Sequence, residues 1–424
     1  MILDFNIVYS LLSKFERGER CKKETPSTPI RLVREMLDKL PPEIWSDPSK
    51  TFLDPACSTG TFLLEIVRKL NIGLASQMPD QTERLKHILT KQVWGLESDE
   101  TPLRLARWAF RELFIDTGIV GEVNIYRANA LDGAKEIKDM KFDVVVGNPP
   151  YQAPQEATGK RGSGDTLWNK FVQKSIQSLL KNEGYLCFVH PAGWRKPQSP
   201  RSQFLGMFQM LAHDNHLMFL SIHNTKDGMK TFGAGTRYDW YVMQKSSRGV
   251  TRVMTEKKES IEVQLRGLNW LPNSMIEEVV GLMGNDGEAL FTCKYHTQNG
   301  AKKGLISTSE NSEFCYPLVH TTPEAGNRYY YSNRNDLEHF TTPKVIFGDG
   351  GINDVIIDAS GEYGMTQHAI GIPIESQKDG ELLKEFLMSD KFKNILKACS
   401  WSNFQIDWRM FRDFKEGFWR AQNE

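Results

Sequence analysis

The chain has 424 residues, with 53 basic and 53 acidic side chains, so its formal net charge at pH 7 is zero. Hydrophobic residues make up 40% and charged residues 25%, which is typical of a globular protein with room for two or three domains. No apolar run approaches the roughly 20 residues that a membrane span needs, and residues 1–24 lack the cleavage site of a signal peptide. The six cysteines form no Cys-x-x-Cys pair and the nine histidines show no metal spacing, so we expect a cytoplasmic protein without disulfides or a bound metal.

Helical and extended patterns alternate along the first 250 residues. Residues 1–24 predict an amphipathic helix, and Thr28 followed by Pro29 predicts the N-cap and the first residue of a second helix. Seven apolar runs predict strands, at residues 51–53, 93–96, 124–126, 142–146, 185–189, 217–222 and 240–243. Helical periodicity covers residues 61–70, 101–114, 167–180 and 202–211. This alternation predicts an α/β fold with a mostly parallel sheet covered by helices on both faces.

The character of the chain changes after residue 250, where segments become shorter and richer in glycine, asparagine and aromatic residues. We therefore expect a first domain at residues 1–250, including an N-terminal helical extension at 1–27, and a second domain at 251–424. Residues 1–250 contain 34 Lys and Arg against 28 Asp and Glu, a net charge of +6, and residues 251–424 contain 19 against 25, a net charge of −6. A nucleic-acid surface in the second half would therefore depend on local basic patches.

Small residues follow the first predicted strand at the point where the next helix begins. This turn has the sequence Asp54-Pro55-Ala56-Cys57-Ser58-Thr59-Gly60. Small side chains let the backbone approach a ligand closely, and a helix N-terminus favours a negative group such as a carboxylate. Asp54 can accept a hydrogen bond from an amino group, although a small-residue turn is a weak indication by itself.

The next two predicted strands also end in polar residues. Glu97-Ser98 closes the second strand, where nucleotide-type folds bind ribose hydroxyls, and Asn129-Ala130 follows the third, where the amide can contact an adenine ring. A solvated carboxylate and a turn-forming amide are the ordinary roles of such residues. Because the carboxyl ends of neighbouring parallel strands meet at one edge of a sheet, the three segments together predict a site for a nucleotide-like cofactor.

The strongest signal is Asn148-Pro149-Pro150-Tyr151, which follows an apolar strand. The two prolines fix φ and remove two N–H donors, so the carbonyl groups of this corner remain as acceptors. An exocyclic amine on a heteroaromatic ring becomes a better nucleophile when acceptors hold its two N–H groups, and the Asn148 side chain and the Pro149 carbonyl can supply both. Tyr151 can stack on the ring. A structural Asn-Pro-Pro turn is the alternative, and the cofactor segments that precede it argue against that alternative.

With these motifs in this order, the chain resembles the N6-adenine DNA methyltransferases of the γ arrangement, an Asn-Pro-Pro-Tyr amino-methyltransferase family of restriction-modification or orphan type. The turn at Asp54 is similar to the family's Asp-Pro-Ala-Cys-Gly-Ser-Gly, with Ser58 and Thr59 where Gly and Ser are usual. The resemblance implies a seven-stranded, Rossmann-like methyltransferase sheet and a mixed α+β target-recognition domain. It also implies S-adenosyl-L-methionine as cofactor, double-stranded DNA as substrate, a prokaryotic or phage origin, and action alone or beside a separate restriction endonuclease.

The resemblance also carries roles onto individual residues. It implies that an adenine rotated out of the duplex is held by the tetrapeptide and by Phe232, with Tyr238 as the competing aromatic residue. It implies cofactor contacts by Thr28, Asp54, Pro55, Ala56, Cys57, Ser58, Gly60, Glu97, Ser98, Asn129, Ala130 and Asn148. Residues 152–166 are expected to form a loop over DNA. The basic loop after the strand at 185–189 offers Arg195, Lys196 and Arg201 to backbone phosphates.

The second half gives weaker signals. Aromatic residues interleave with basic or amide residues at 327–334 and 401–405, and Arg328 and Arg334 are the predicted DNA contacts. An ordinary core with surface amides would explain such stretches equally well. Residues 251–424 contain no recognisable nuclease signature, and nothing in them predicts the DNA sequence that is recognised.

Three classes of function therefore remain open. The first is methylation of adenine N6 in DNA. The second is methylation of another planar amine, namely a protein glutamine, cytosine N4 or RNA guanine N2, because the same tetrapeptide chemistry serves them all. The third is a catalytically silent DNA-binding partner, and the intact tetrapeptide counts against it. The long second half and the Thr28-Pro29 motif favour DNA, whereas the net acidic charge of that half does not.

Overall fold

The computed structural model describes residues 8–10, 12, 28–114, 123–153, 166–284, 294–295, 304–401 and 406–420. The chain divides into two compact units. The first unit comprises Met1–Trp194 and Pro200–Arg266, and the second comprises Arg195–Ser199 and Gly267–Glu424. We expected a boundary near residue 250, but the first unit continues to Arg266 because two further strands join its sheet.

The first unit is built on a nine-stranded sheet in the order β3-β2-β1-β4-β5-β7-β6-β8-β9. Its strands are β1 (Phe52–Asp54), β2 (Val93–Glu97), β3 (Asn124–Arg127), β4 (Phe142–Gly147), β5 (Leu180–Pro191), β6 (His216–His223), β7 (Tyr238–Gln244), β8 (Thr251–Met254) and β9 (Ser260–Val263). Strands β1 to β5 run parallel to one another, and β7 lies antiparallel between β5 and β6. The α/β class and the mostly parallel sheet are confirmed, and all seven predicted strands are present. The expected count of seven was wrong, because β8 pairs with β6 and β9 with β8.

The helices of the first unit cover this sheet. Those described are α1 (Ile30–Leu37), α2 (Thr61–Gly73), α3 (Gln81–His87), α4 (Glu100–Phe114), α5 (Trp168–Lys174), α6 (Met207–Ala212) and α7 (Thr225–Phe232). Helix α1 buries Val33, Met36 and Leu37, the apolar face that its sequence presents. The predicted helix at 202–211 begins only at Met207, after Gly206 in a left-handed conformation with φ of 79°.

The expected cap of α1 requires a correction. Thr28 was predicted as the N-cap, but Pro29 occupies that position with extended φ and ψ of −59° and 139°. Its carbonyl accepts hydrogen bonds from the N–H groups of Leu32 and Val33, so the helix starts one residue later than expected. Thr28 itself is buried immediately before the helix. Most of the predicted helix at 1–24 lies outside the described residues, but Val8, Tyr9 and Leu12 belong to the core of this unit.

The second unit is of mixed α+β type and contains two four-stranded sheets, in the orders β10-β17-β14-β15 and β11-β13-β12-β16. Its strands are β10 (Lys294–Tyr295), β11 (Ile306–Ser307), β12 (Tyr316–Thr321), β13 (Arg328–Ser332), β14 (Lys344–Gly348), β15 (Ile356–Asp358), β16 (Gly364–Met365) and β17 (Ala369–Pro373). Its helices are α8 (Ile276–Leu282), α9 (Gln377–Met388) and α10 (Asp390–Ala398). No helix among the residues that the structure describes is both long and apolar enough to cross a membrane.

Candidate functional site

The turn after β1 carries the predicted cofactor residues and is held by short backbone hydrogen bonds. Asp54 ends the strand with its side chain buried, and its Oδ1 accepts from the N–H of Ala56 at 3.0 Å. The N–H of Gly60 donates to the carbonyl of Cys57 at 2.8 Å, and Gly60 then precedes helix α2 with φ of 87°. A left-handed residue at this point turns the chain sharply from strand to helix, which explains why glycine stands there.

Ser58 also adopts a left-handed backbone, with φ of 49°. Glycine populates this region without penalty, whereas a residue with a Cβ atom pays about 1–2 kcal/mol. Serine at this position therefore carries a backbone cost that the glycine usual in the resembled family would not have.

We expect Ser58→Gly to preserve cofactor binding and to leave thermal stability unchanged or raised by about 1 kcal/mol, because it removes the left-handed penalty at some cost in chain entropy. Ser58→Val should weaken both, since a β-branched side chain is poorly tolerated at positive φ. Thermal melting and calorimetric titration with the cofactor would test the pair. A Ser58→Gly protein that loses cofactor affinity would contradict this reading of the turn.

Glu97, at the end of β2, is joined to the turn after β1. One carboxylate oxygen accepts from the N–H of Ser58 at 3.0 Å, and the other accepts from the N–H of Asp99 at 2.7 Å. The N–H of Cys57 also donates to the carbonyl of Leu96 at 2.8 Å. These bonds bring two of the predicted cofactor segments together at the carboxyl edge of the sheet, where α/β folds bind their ligands.

Asn129, the third predicted segment, lies next to Glu97 along the sheet edge. The N–H of Ala128 donates to the carbonyl of Glu97 at 3.0 Å. The Asn129 side chain accepts from the N–H of Leu131 at 3.1 Å and donates to Asp132 at 2.8 Å, so it caps the short turn that follows β3. The residue is exposed, so its side chain can be reached by a ligand while it caps this turn.

The carboxyl group of Asp54 is electrostatically unusual. Burial, assisted by the nearby carboxylate of Glu97 and opposed by the Ala56 hydrogen bond, raises the pKa of Asp54 to about 8. Gly147, at the end of β4, makes room for this group: a Cβ atom on Gly147 would lie 2.8 Å from the Asp54 Oδ1. Such a buried carboxylate is stabilised when a cationic group binds beside it.

This pKa predicts an opposing effect on stability and on binding. Because the folded-state pKa lies above the unfolded value near 4, the ligand-free protein should lose stability as the pH rises from about 4 to about 8. Asp54→Asn keeps an acceptor for Ala56 but carries no charge, so it should remove that loss and raise the melting temperature at pH 8. The same variant should bind the cofactor more weakly. Thermal melts at pH 5 and pH 8 measure the effect on stability, and calorimetric titration measures cofactor binding. If the wild type and Asp54→Asn lost stability equally between pH 5 and pH 8, the raised pKa of Asp54 would be contradicted.

The tetrapeptide begins directly after Gly147, whose φ of 151° suits only glycine at this strand end. Pro149 is buried and Asn148 is half-buried. The hydroxyl of Tyr151 lies beside the Asn148 side chain. Burial raises the pKa of Tyr151, and the neighbouring Asn148 amide opposes part of that rise. The phenol is therefore neutral near pH 7 and can serve as a flat packing surface.

An aromatic stack fixes the chain where it returns after the tetrapeptide. The carbonyl of Tyr151 accepts from the N–H of Leu167 at 3.0 Å, and the next residue, Trp168, is buried. The Trp168 ring stacks on His190 with centroids 4.0 Å apart and on Phe204 at 4.9 Å. His190 in turn lies 3.1 Å from the Tyr241 hydroxyl. Most of the predicted loop at 152–166 lies outside the described residues, but its two ends meet in a bridge between Gln152 and Thr166.

The aromatic residues predicted to face the target base form a connected group in the first unit. Phe232 ends α7, is only 6% exposed and meets the ring of Tyr238 edge-on at 4.9 Å. Tyr238 stacks face to face on His223 at 4.3 Å, and its hydroxyl bonds with Thr231 at 3.1 Å. Tyr238 is also close enough to Tyr151 to contribute to the rise in the pKa of that phenol.

The predicted phosphate contact at Arg195 is wrong. Its side chain is fully buried and donates to the carbonyls of Leu271 and Pro272 and to Oδ1 of Asn273, each at 3.1 Å. Arg195 therefore ties the two chain segments of the second unit together, and a guanidinium held in this way is not presented to solvent. Lys196 is half-buried and Arg201 is exposed.

Of the predicted contacts in the second half, Arg328 is exposed at the start of β13. Arg334 is paired with Asp336 through two hydrogen bonds of 2.5 and 2.6 Å, so two of its guanidinium N–H donors are already used within the protein. Residues 402–405 of the second aromatic stretch lie outside the described residues. Within the described part of the chain, no group of three or more His, Cys, Asp or Glu side chains could hold a metal ion.

Three contributors to the site were missed from the sequence. Trp168 was assigned only to a helix, although a tryptophan directly after a polar loop is a usable signal for an anchor. The pair His223 and Asp227, joined at 3.1 Å beside Tyr238, gave no periodic signal because it spans a strand end and a helix start. Gly147 precedes the tetrapeptide, but its closeness to Asp54 depends on the pairing of β1 with β4, which the local sequence does not reveal.

Comparison with known proteins extends this description. A family model described as Eco57I restriction-modification methylase matches residues 68–224. An uncharacterized adenine-specific methylase of Mycoplasma pneumoniae (strain ATCC 29342 / M129) is 25% identical over 354 residues, which cover 67% of this chain and 81% of that protein. The type II restriction enzyme and methyltransferase RM.Eco57I of Escherichia coli is 22% identical over 416 residues, which cover 76% of this chain and 39% of that protein.

The fold has a counterpart among solved structures. A nuclease-deletion mutant of the Type ISP restriction-modification enzyme LlaGI, in complex with a DNA substrate mimic, superposes with a TM-score of 0.52 and 12% identity. The match covers 92% of this chain and 53% of that one. At this identity the likeness concerns the fold alone. The superposed region includes most of both units, whereas the family model matches only part of the first unit.

Proposed function

We propose that this chain, which matches a family model for Eco57I restriction-modification methylases over residues 68–224, transfers a methyl group from S-adenosylmethionine to N6 of an adenine in duplex DNA. The observation that carries this proposal is the joining of the Asp54 turn, Glu97 and Gly147, the residue before the tetrapeptide, at one edge of the sheet. The chain spans 39% of the RM.Eco57I protein, and methyl transfer is the activity proposed for it. It acts alone or beside a separate restriction endonuclease.

The residues at the turn after β1 fit S-adenosylmethionine. The buried Asp54 carboxylate, disfavoured when no cation is near, matches the ammonium group of the methionine part. The Glu97 carboxylate, fixed by two backbone N–H groups, matches the ribose hydroxyls. Thr28, Ser98, Asn129 and Ala130, with the turn residues Pro55, Ala56, Cys57, Ser58 and Gly60, complete the assignment. When bound, this cofactor supplies an electrophilic methyl group on a sulfonium centre.

The tetrapeptide acts on the amine that receives the methyl group. The Asn148 side-chain oxygen and the Pro149 carbonyl accept hydrogen bonds from the two N–H groups, which favours a pyramidal, more nucleophilic nitrogen. The Tyr151 ring packs on the base, and Pro150 fixes the corner. Phe232 and Tyr238 close the other side of the base pocket as an edge-to-face pair. Orientation contributes most of the rate enhancement, because the electrophile is already strong.

The second unit contacts DNA outside this pocket as the target-recognition domain. Arg201 and Lys196 in the segment after β5, together with Arg328 and Arg334 in the second unit, bind the DNA in this proposal. Arg195 is excluded because its guanidinium is buried. The net charge of −6 over residues 251–424 means that DNA must lie against local basic patches and not against the whole surface of this unit.

A transfer assay with competing acceptors tests the proposal. Purified protein and S-adenosylmethionine labelled at the methyl carbon are incubated with unmodified duplex DNA, structured RNA or a protein mixture in parallel. We expect label in the DNA alone. Label in protein or RNA but not in DNA would indicate methylation of glutamine or guanine instead. DNA binding without any methyl transfer would indicate a catalytically silent DNA-binding partner.

A further inference from the structure

Side chains from four separate segments of the second unit converge at the ends of its strands. Strand β12 contributes His320 and β13 contributes Arg328 and Tyr330, while Gln367 and His368 lie between β16 and β17 and Asp349 follows β14. We call these six residues the His320–His368 cluster. Polar and aromatic groups that converge from distant segments are typical of a built recognition surface.

The aromatic members of the cluster brace one another. The ring of His320 stacks on Tyr330 with centroids 4.3 Å apart and an interplanar angle of 10°. The ring of His368 meets His320 edge-on at 5.1 Å. The Nδ1 of His320 lies 2.9 Å from the hydroxyl of Thr366, which holds the imidazole from the β16 side. These contacts leave little freedom for either histidine, so their hydrogen-bonding atoms have a fixed arrangement.

A buried carboxylate orients His368. The side chain of Asp349 places Oδ2 3.4 Å from Nδ1 of His368, and its N–H donates to the His368 carbonyl at 3.0 Å. Burial raises the pKa of Asp349, and the neighbouring imidazole opposes that rise. Donation from Nδ1 to the carboxylate makes Nε2 an acceptor, and the amide nitrogen of Gln367 lies 3.3 Å from it. The imidazole is therefore held on both sides, by Asp349 and by Gln367, and in turn it fixes the Gln367 amide.

Arg328 gives the cluster an available positive charge. Its side chain is exposed and forms no ion pair with any residue that the structure describes. Two other basic side chains of this unit are paired with carboxylates: Arg334 forms an ion pair with Asp336, and Nζ of Lys384 lies 3.7 Å from Oδ1 of Asp354. Arg328, exposed and without an ion pair among the described residues, thus offers a positive charge in a half of the chain whose net charge is −6.

We propose that the His320–His368 cluster reads base edges of duplex DNA and so sets the sequence in which the adenine is methylated. This inference rests on the proposed function. Arginine pairs with guanine O6 and N7 and glutamine pairs with adenine N6 and N7 in the major groove, so Arg328 and Gln367 are the base-reading residues. His368, held between Asp349 and Gln367, is a positioning residue that fixes the Gln367 amide. Single-stranded bases instead require open aromatic faces on which to stack. Here the Tyr330 ring is stacked by His320 and packs against a hydrophobic cluster with Leu318, so duplex DNA fits better.

The test compares the methylated sequence of the wild-type protein with that of its variants. Unmodified genomic DNA is methylated by each full-length protein, and every N6-methyladenine is mapped by single-molecule sequencing. Arg328→Ala and His368→Ala should each relax one position of the recognised sequence, with discrimination there reduced about ten-fold or more. Arg328→Lys should keep the charge and still lose that discrimination, because a lysine cannot form the paired contact of a guanidinium.

Control variants separate base reading from folding and from general DNA affinity. Lys397→Ala, an exposed substitution on α10 outside the cluster, should leave the recognised sequence and the activity unchanged. If His368→Ala melts at a lower temperature than the wild type, His368→Gln replaces it in the same sequencing experiment, with the same expected loss of discrimination. If all cluster variants methylate the wild-type sequence with unchanged discrimination, the inference is overturned while the proposed function stands. If the wild-type protein labels no DNA, the proposed function fails and this inference with it.

Discussion

Asn148→Ala should lower methyl transfer by roughly 10²–10³-fold or more, while leaving cofactor binding close to the wild-type value. The expected loss follows from removing one acceptor that holds the target amine in the transition state, an effect comparable to the deletion of an oxyanion-hole donor. Asn148 stands one residue after Gly147, which packs against Asp54, so the cofactor turn itself keeps its contacts in the variant. Single-turnover rates with saturating cofactor measure the first effect, and calorimetry measures the second.

A matched control distinguishes this role from general damage. Asn311→Ala removes an asparagine from an exposed turn of the second unit, where its side chain only accepts from neighbouring N–H groups. We expect that variant to methylate at the wild-type rate. Substantial activity in Asn148→Ala, or a parallel loss of cofactor affinity, would remove the assigned role from Asn148.

Asp358→Asn should destabilise the second unit by about 3–5 kcal/mol, because it leaves the Lys344 ammonium buried without its counter-ion. The two side chains are almost completely buried, and Nζ of Lys344 lies 2.6 Å from Oδ2 of Asp358. The same carboxylate accepts from the N–H groups of Glu362 and Tyr363, so it also fixes the turn between β15 and β16. Hydrogen exchange of β14 and β15 isolates this effect from the first unit.

Two further variants give this prediction its controls. Asp336→Asn breaks the exposed pair with Arg334 and should change stability little, since solvent screens such a pair. The double variant Lys344→Met with Asp358→Asn should recover much of the lost stability, because it removes both buried charges at once while the asparagine oxygen still accepts from the backbone of the turn. If Asp358→Asn and Asp336→Asn had the same effect on hydrogen exchange, the buried pair of Lys344 and Asp358 would not stabilise the second unit more than an exposed pair does.

The parts of the fold that the sequence predicted are those with strong local patterns. Strands β1 to β7 are apolar runs bounded by turns, and the helices between them show clear periodicity. Strands β8 and β9 were missed because they are short and alternate buried with exposed residues near an edge of the sheet. Their pairing with β6 depends on contacts that no local window contains.

The site shows the same division between local and distant information. The tetrapeptide and the turn at Asp54 are recognisable because prolines and left-handed glycines such as Gly60 and Gly147 are dictated by the local backbone shape. Arg195 was misassigned because its partners at Leu271, Pro272 and Asn273 lie more than 70 residues away. A basic loop in sequence therefore predicts charge, but only the tertiary structure shows whether that charge reaches solvent.

The most direct test of methyl transfer to adenine is the identity of the modified nucleoside. Duplex DNA methylated by the wild-type protein, and by Asn148→Ala in parallel, is digested to nucleosides and separated by liquid chromatography with mass spectrometry. We expect N6-methyladenine as the modified nucleoside in the wild-type sample and a loss of at least about 10²-fold in the variant. N4-methylcytosine in place of N6-methyladenine, or no modified nucleoside on varied DNA, would contradict it.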